Sequence, residues 1–352
     1  MLPSTVYALV FPPNRIHSCH MQQHLKISVI VPTYNRDRDL CNTLEFLLRQ
    51  DYENYEIIVV DLSESHDEYT SQHLRANAET VCHLHFRPPN LPAARNFGIC
   101  NSTGDIVVFC DDDMALPTNT LSSLAAAYSC PDAWGATGFT VSPGMTEEEK
   151  IVSHANDAAT RHLLAKAEPL VRISECIGCL MSFRRELFHK IGDFDEWLGT
   201  QPMGAGEDVE FTTRMNLRGY ALFLVTSLTV THLGAKKGGC ERRTLPAEFV
   251  NEAQLRVAAY CYLKNRRYPT LVGWADALWR CYRAFVLNRD VLRAGSRTIV
   301  RKHLLALSVV PRMATMAKRN SDRNRELIPA KAHPLSSLSD NPASATNRRS
   351  LC

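Results

Sequence analysis

The sequence has no long apolar run and no marked excess of charge of either sign. No window approaches the ~20 uninterrupted apolar residues that a membrane-spanning helix needs. The brief apolar patch from Tyr7 to Phe11 lacks a preceding basic residue and runs into Pro12 and Pro13, so it makes a poor signal peptide. The formal net charge is only +3, which gives no sign of a nucleic-acid partner. These absences argue against an integral helical membrane protein and against a nucleic-acid-binding protein.

The twelve cysteines do not form a dense disulfide framework. They are scattered through apolar segments, as at Cys110 and Cys261, and this usage favours a reducing cytosol. Cys176 and Cys179 form a lone C-x-x-C motif, but no second pair follows at metal-binding spacing and the surrounding pattern is not thioredoxin-like. We therefore expect buried thiols at these positions and a cytoplasmic protein.

Strand and helix signals alternate through the first two thirds of the chain. Ile27 to Val31 is a continuous β-branched run, an amphipathic helix begins at Asp37, and a second strand runs from Glu56 to Val60. Strand, helix and strand at this spacing predict a right-handed βαβ unit and hence a mostly parallel sheet. Since 45% of the 352 residues are hydrophobic, the chain can bury a sizeable core. The predicted fold class is α/β, a sheet flanked by helices.

Polar side chains follow the predicted strands at their carboxyl ends. Tyr34 follows the first strand, Asp61 the second, and Asp111 to Asp113 a third apolar run. Ligands of parallel α/β sheets bind at this edge, so these side chains are expected to meet in one cleft. Consecutive carboxylates repel one another, and Mg²⁺ or Mn²⁺ completed by substrate phosphates is their usual partner. The alternative is a solvated acidic turn.

Four further residues each allow two interpretations. Arg95 lies in the first turn of a predicted helix, where a cation is unfavourable, so it serves either an anionic ligand or a surface ion pair. Glu207 and Asp208 begin another helix, where they are either cleft carboxylates or helix-capping groups. His232 ends the last predicted strand and, taken alone, favours a structural histidine.

Seven segments from Ile27 to His232 carry a recognisable pattern. In chain order they are SVIVPTYNR, EIIVVD, NLPAARNFGI, GDIVVFCDDD, CLMSFRRELFHKIGDFDE, GEDVEFTTRMNLRGY and VTH. This succession resembles the inverting glycosyltransferases of family 2, and it is more specific than any single motif. The resemblance implies a GT-A type, Rossmann-like fold. It also implies transfer of a sugar from a nucleoside diphosphate donor, here expected to be UDP-linked, to an acceptor hydroxyl on a glycan or lipid-linked glycan.

The resemblance also assigns roles to individual residues. Asp113 and His232 would hold Mn²⁺ or Mg²⁺, Asp208 would be the general base, and Glu207 would contact the acceptor. The Q-x-x-R-W motif and spanning helices of processive polysaccharide synthases are absent from the sequence, so addition of a single sugar is expected. The residues implied in binding the nucleotide sugar are Pro32, Tyr34, Arg36, Asp61, Arg95, Asp111 and Asp112.

Three other functions compete with this interpretation. A nucleotidyltransferase acting on sugar phosphates would need a Gly-rich phosphate loop after the first strand, and Pro32 to Arg36 has no glycine. A glycoside hydrolase would use paired carboxylates without a nucleotide or a metal. A non-catalytic glycan-binding relative would keep only the fold, although the presence of both Asp113 and Asp208 argues against it.

The character of the sequence changes after residue 240. Between Val291 and Arg325 the only acidic residue is Asp322, among many arginines and lysines. Such a segment either lies peripherally on anionic lipid, here at the inner face of a membrane, or forms a solvated helical face. The predicted divisions are an uncertain leader over 1–25, the GT-A catalytic domain over 26–240, a basic amphipathic helical extension over 241–319 and a disordered tail over 320–352.

Overall fold

A computed structural model describes most of the chain between residues 25 and 326. The ranges that it describes are 25–154, 158–165, 168–201, 206–235, 247–265, 271–286, 293 and 296–326. The strands are β1 Ile27–Thr33, β2 Tyr55–Asp61, β3 Val81–His85, β4 Ile106–Cys110, β5 Met114–Ala115, β6 Ala133–Val141, β7 Leu170–Ile173, β8 Leu180–Arg184 and β9 Ala221–His232. The helices are α1 Asp37–Leu47, α2 Glu68–Ala76, α3 Leu91–Cys100, α4 Thr120–Ala127, α5 Glu147–His154, α6 Ala158–Ala165, α7 Arg185–Ile191, α8 Glu196–Gly199, α9 Glu207–Leu217, α10 Ala247–Lys264, α11 Leu271–Phe285 and α12 Ser296–Glu326.

The first four strands form the parallel half of a nine-stranded sheet, in the order β3-β2-β1-β4. All seven residues of β1 are buried, as expected of a central strand covered on both faces. Alternate residues face opposite sides: Val29 packs with Leu40 and Leu44 of α1, whereas Ile30 packs in the cluster that contains Phe109 and Ala94 of α3. The predicted α/β fold and βαβ unit are confirmed.

The other half of the sheet is mixed rather than parallel. Strand β8 pairs antiparallel with both β4 and β6, and β6 pairs parallel with β9. Strands β5 and β7 both pair antiparallel with β9. The prediction of a mostly parallel sheet therefore holds for the β3-β2-β1-β4 half only. The reversal brings the end of β9 beside the acidic run that follows β4, since Met114 pairs with His232.

The last three helices build a separate apolar cluster. Helix α12 directs Val309, Met313 and Ala317 inward, where they pack with Tyr260 and Leu263 of α10. These positions recur every four residues, which keeps them on one buried face of the helix. Helix α12 ends at Glu326, past the predicted start of the disordered tail at 320. The predicted leader up to residue 24 and the tail from 327 lie outside the described residues.

A buried charge network joins α10 to α9. The Lys264 ammonium lies 2.5 Å from Asp195 Oδ2 and 3.1 Å from Glu210 Oε1, and all three side chains are less than a tenth exposed. Glu210 also pairs with Arg214 at 2.8 Å. The Tyr260 hydroxyl donates to the same Asp195 carboxylate. The helical extension is thus bonded to the helix that begins with Glu207 and Asp208. No helix within the described ranges is long and apolar enough to cross a membrane.

Candidate active site

The ends of β1 and β4 are tied together by Asp112. Its Oδ2 accepts a hydrogen bond from the Thr33 hydroxyl at 2.7 Å, and its Oδ1 accepts one from Arg36 Nη1 at 2.7 Å. Burial raises the pKa of Asp112 to about 7, against the opposing effect of the Arg36 guanidinium. Asp112, expected to bind the nucleotide sugar, is therefore placed as an internal link between strand ends.

Asp111, Asp113 and His232 offer three metal-ligand atoms that all lie within 4.8 Å of one another. Asp113 Oδ2 accepts a hydrogen bond from the Ala235 amide at 2.7 Å, whereas its buried Oδ1 has no hydrogen-bond partner. That Oδ1 lies 3.1 Å from His232 Nε2, within ion-pair distance. Burial alone would raise the pKa of Asp113, but His232 and the Ala235 amide outweigh burial and lower this pKa to about 2.

This cluster fits a divalent cation. A fully buried carboxylate oxygen without a hydrogen bond is costly unless a cation or another donor satisfies it. Two carboxylates and one imidazole are suitable ligands for Mn²⁺ or Mg²⁺. The Asp113 carboxylate beside it also raises the pKa of His232. The structure thus brings together both residues that the sequence predicts as metal ligands and adds Asp111 to them.

Arg95 is buried beneath this cluster. Its Nη2 lies 3.4 Å from Asp111 Oδ1 and donates to the Gly178 carbonyl at 3.1 Å, while its Nη1 donates to Glu207 Oε1. Burial raises the pKa of Glu207 to about 7, although the Arg95 charge opposes this. Glu207, predicted to contact the acceptor, is 3% exposed and placed to hold Arg95. Arg95, predicted to face the nucleotide, is 1% exposed and orients Asp111.

Asp208 stands at the beginning of α9, partly exposed. Its Oδ2 accepts a hydrogen bond from the Gly178 amide at 2.9 Å, and its Oδ1 accepts one from the Val209 amide at 2.8 Å. Cys179 follows Gly178 in the chain, and its carbonyl oxygen accepts a hydrogen bond from the Asp111 amide at 2.9 Å. The predicted base and the metal-type cluster are therefore bonded to two consecutive residues of one loop.

A side chain at position 178 would displace Asp208. A Cβ there would lie 2.9 Å from Asp208 Oδ2 and 3.4 Å from Arg95 Nη2. From the sequence, Cys176 and Cys179 were predicted as buried thiols of a C-x-x-C motif, and Gly178 inside it was not given a role. Both flanking thiols, Cys176 and Cys179, are buried, and burial raises their pKa values. The glycine between them, rather than the cysteines, shapes the site.

The residues predicted for the nucleotide pocket line the carboxyl ends of β1 and β2. Pro32 is buried in β1, Tyr34 is half-buried, and Asn35 between Tyr34 and Arg36 adopts a positive φ of 55°. Asp61 is fully buried, its Oδ1 accepting a hydrogen bond from the Ser63 amide at 2.8 Å. Burial alone would raise the pKa of Asp61, but hydrogen bonds with His83 and Ser63 outweigh burial and lower this pKa. Three histidines around Asp61 were not singled out by the sequence analysis.

Comparison with known proteins identifies the fold. Residues 28–192 match the family model described as Glycosyl transferase family 2. The uncharacterized glycosyltransferase YwdF of Bacillus subtilis (strain 168) is 28% identical over 192 residues, which cover 49% of this chain and 62% of that protein. The chain thus spans less than two thirds of that relative's length.

Two solved structures share the architecture. TarS 1-349 of S. aureus, in complex with UDP-GlcNAc, has a TM-score of 0.54 and 16% identity over 84% of this chain and 92% of that one. The mannosyltransferase PcManGT of Pyrobaculum calidifontis, in complex with GDP-Man and Mn²⁺, has a TM-score of 0.50 and 20% identity over 86% and 85% of the two chains. At these identities the likeness concerns the fold alone.

Proposed function

Residues 28–192 belong to glycosyl transferase family 2, and from this premise we propose that the chain is a metal-assisted, inverting glycosyltransferase. It moves one sugar from a nucleoside diphosphate sugar, with UDP as the proposed nucleotide, to an acceptor hydroxyl on a glycan or lipid-linked glycan. The observation that carries the proposal is the joining of Asp208 and Asp111 to the consecutive residues Gly178 and Cys179. A carboxylate able to accept a proton thereby stands next to a cation-binding cluster.

Each half of this arrangement has a chemical task. Asp208 accepts the proton of the acceptor hydroxyl as that oxygen attacks the anomeric carbon, a contribution of roughly 10²–10⁴ in rate. Attack on the face opposite the leaving diphosphate inverts the configuration. The cation would be held by Asp113, Asp111 and His232. When bound, it would neutralise the negative charge that develops on the diphosphate. Arg95 keeps the Asp111 carboxylate in place from below.

Nucleotide binding tests this function directly. We expect calorimetric titration of the full chain with UDP, GDP and dTDP, each with and without Mn²⁺, to show tight binding of UDP that depends on the metal. UDP and GDP are the natural first choices, because the TarS and PcManGT complexes contain UDP-GlcNAc and GDP-Man. Absence of binding by all three nucleotides would contradict the proposal. Cleavage of a glycoside without nucleotide binding would favour the hydrolase.

The Asp113→Asn variant should lose the metal dependence of nucleotide binding. The amide keeps an oxygen that can accept from the Ala235 amide, but it removes the negative charge that attracts the cation. We expect Mn²⁺ to increase the affinity for UDP at least tenfold in the wild type and less than twofold in the variant, measured by calorimetry. Asp132→Asn, at an exposed position away from the cluster, is the matched control. An unchanged Mn²⁺ response in Asp113→Asn would place the cation elsewhere.

We further propose that the protein is cytoplasmic and attaches peripherally to the inner face of an anionic membrane through α12. The outward side of α12 carries Val300, Leu304 and Leu307, which are 57%, 60% and 61% exposed, with Arg297 and Arg301 beside them. Apolar side chains flanked by arginines match the acyl boundary and the anionic headgroups of such a surface. Lipid-linked acceptors would lie in the same membrane.

Vesicle flotation tests this attachment. With the full chain, we expect co-flotation with vesicles that contain anionic phospholipid and much weaker flotation with neutral vesicles. The triple variant Val300→Ser, Leu304→Ser, Leu307→Ser should lose flotation. The matched control replaces three exposed leucines of the α/β domain, Leu163, Leu217 and Leu233, by serine. Equal flotation of the two triple variants would reject α12 as the attachment surface.

A further inference from the structure

Two histidines of one strand face a buried carboxylate at the outer end of the cleft. His83 and His85 lie two residues apart on β3 and therefore project from the same face of the sheet. In the register of β2 and β3, Asp61 pairs directly with His85. Asp61 Oδ2 lies 2.9 Å from His83 Nε2 and 3.5 Å from His85 Nδ1. The fold thus gathers two imidazoles and one carboxylate from adjacent strands.

The spacing of these atoms is that of a metal-ligand set. Ligands at ~2.0–2.1 Å from a tetrahedral Zn²⁺ are separated from one another by about 3.3 Å. The two distances from Asp61 Oδ2 lie on either side of that value, and the ligand atoms of Asp61, His83 and His85 all lie within 4.8 Å of one another. Three protein ligands leave a fourth position for water or another ligand.

A supporting shell surrounds this set. His66 Nε2 lies 2.6 Å from the same Asp61 oxygen, and its Nδ1 lies 2.5 Å from Asp37 Oδ1. Asp37, His66 and Asp61 thus form a chain of contacts. In this chain His66 fixes the orientation of the Asp61 carboxylate, as residues outside the ligand set do in other metal sites. The side chains of His83 and His85 are 24% and 63% exposed, so an ion can enter from solvent.

The cluster around Asp61 is separate from the one around Asp113. Strands β2 and β4 flank β1 on opposite sides, which places their ends about 10 Å apart at the usual strand spacing. The ligand types differ as well. Two imidazoles and one carboxylate suit Zn²⁺, whereas the cluster of Asp111, Asp113 and His232 is richer in the carboxylate oxygen that Mn²⁺ and Mg²⁺ prefer.

We propose that Asp61, His83 and His85 form a second divalent-metal site, selective for Zn²⁺. His83 Nε2 and His85 Nδ1 bind the ion as neutral imidazoles, so each ring carries its remaining proton on the other nitrogen, and protons of any imidazolium are released. Under the proposed function, Asp61 also lies where the pocket binds the nucleobase of the nucleotide. Occupation by Zn²⁺ would then compete with nucleotide binding, and this second step alone rests on that function.

Zinc titration of the full chain without nucleotide tests the site. Saturating Mg²⁺ is included to compete for the Asp113 cluster, and replacement of Cys82 and Cys100 by serine removes the exposed thiols of the described residues. We expect one Zn²⁺ per chain, measured by competition with a chromophoric chelator, and at least a tenfold loss of affinity in His83→Gln, His85→Gln. The matched control is His162→Gln, His189→Gln, at two exposed positions on other elements. Equal affinity in both double variants would overturn the proposal.

A second titration isolates the competition. Zn²⁺ should weaken UDP binding in the thiol-depleted wild type and leave it unchanged in His83→Gln, His85→Gln. If UDP does not bind at all, the proposed function fails while the zinc titration still decides the metal site. If Zn²⁺ binds but UDP affinity stays constant, the site exists and Asp61 does not contact the base. Loss of zinc binding only on replacement of Cys82 and Cys100 would assign the ion to thiols and reject the site.

Discussion

Replacing Asp208 by asparagine should abolish sugar transfer and leave the affinity for the nucleotide donor near its wild-type value. The change removes the only charge on this side chain, so the acceptor hydroxyl would lose its proposed proton acceptor. We expect kcat to fall by roughly 10²–10⁴. The proposed donor-binding groups are the Asp113 cluster and the ends of β1 and β2, which the substitution does not touch. Single-turnover transfer and calorimetric nucleotide titration measure the two quantities separately.

The local geometry makes this substitution a controlled one. Asp208 accepts hydrogen bonds from the amides of Gly178 and Val209, and asparagine keeps one oxygen for this purpose. The loss of one bond at a helix start costs about 1 kcal/mol of folding stability, which thermal unfolding can detect. Asp132→Asn is again the control for charge removal at an exposed position. An equal loss of donor affinity and transfer would reject Asp208 as the base and indicate a structural role.

Lys264→Met should lower the free energy of unfolding by roughly 3–5 kcal/mol, because it leaves two buried carboxylates without their shared cation. Asp195 and Glu210 both contact the Lys264 ammonium, and Glu210 is fully buried. Glu210 keeps Arg214, whereas Asp195 keeps only uncharged donors within the described part of the chain, the Tyr260 hydroxyl and the Trp197 amide. Chemical denaturation of the full chain measures the change.

Two further variants make the interpretation specific. Lys318→Met removes an exposed lysine of α12 and should alter the stability by less than ~0.5 kcal/mol. In the Lys264→Met background, Asp195→Asn neutralises the carboxylate that loses its cation and should restore part of the stability. A cost below about 1 kcal/mol for Lys264→Met would show that the network contributes little, and absence of any rescue would show that Asp195 is not the charge left unpaired.

The parallel half of the fold follows from the sequence, but the mixed half does not. Continuous β-branched runs separated by an amphipathic helix predict β1, α1 and β2 from local pattern alone. The apolar run that forms β8 lies in one of the seven segments singled out in the sequence, but its direction depends on pairing with β4, whose residues lie far away in the sequence. An antiparallel partner and a parallel one present the same local pattern when both faces are buried.

The site shows the same division between local and distant information. Placing Tyr34, Asp61 and the acidic run at one edge required only strand ends and the direction of the sheet. The partners of Arg95 were hidden, because Glu207 lies 112 residues away along the chain. Arg95 was therefore predicted to face the nucleotide, whereas in the structure its charge is neutralised by the carboxylates of Glu207 and Asp111. The histidines on β3 were missed because their meaning depends on pairing with Asp61 in the neighbouring strand.

The hydrogen bonds of Gly178 and Cys179 have a mechanical consequence. These residues are adjacent, and a trans peptide holds their Cα atoms about 3.8 Å apart. The Asp208 carboxylate is bonded to the amide of Gly178 and the Asp111 amide to the carbonyl of Cys179, so a segment of only two residues links the start of α9 to the residue that follows β4. While both bonds hold, motion of α9 against the sheet carries this two-residue segment with it or strains one of the bonds. Two adjacent residues therefore limit how far these two segments of the chain can separate, in addition to the packing of distant elements.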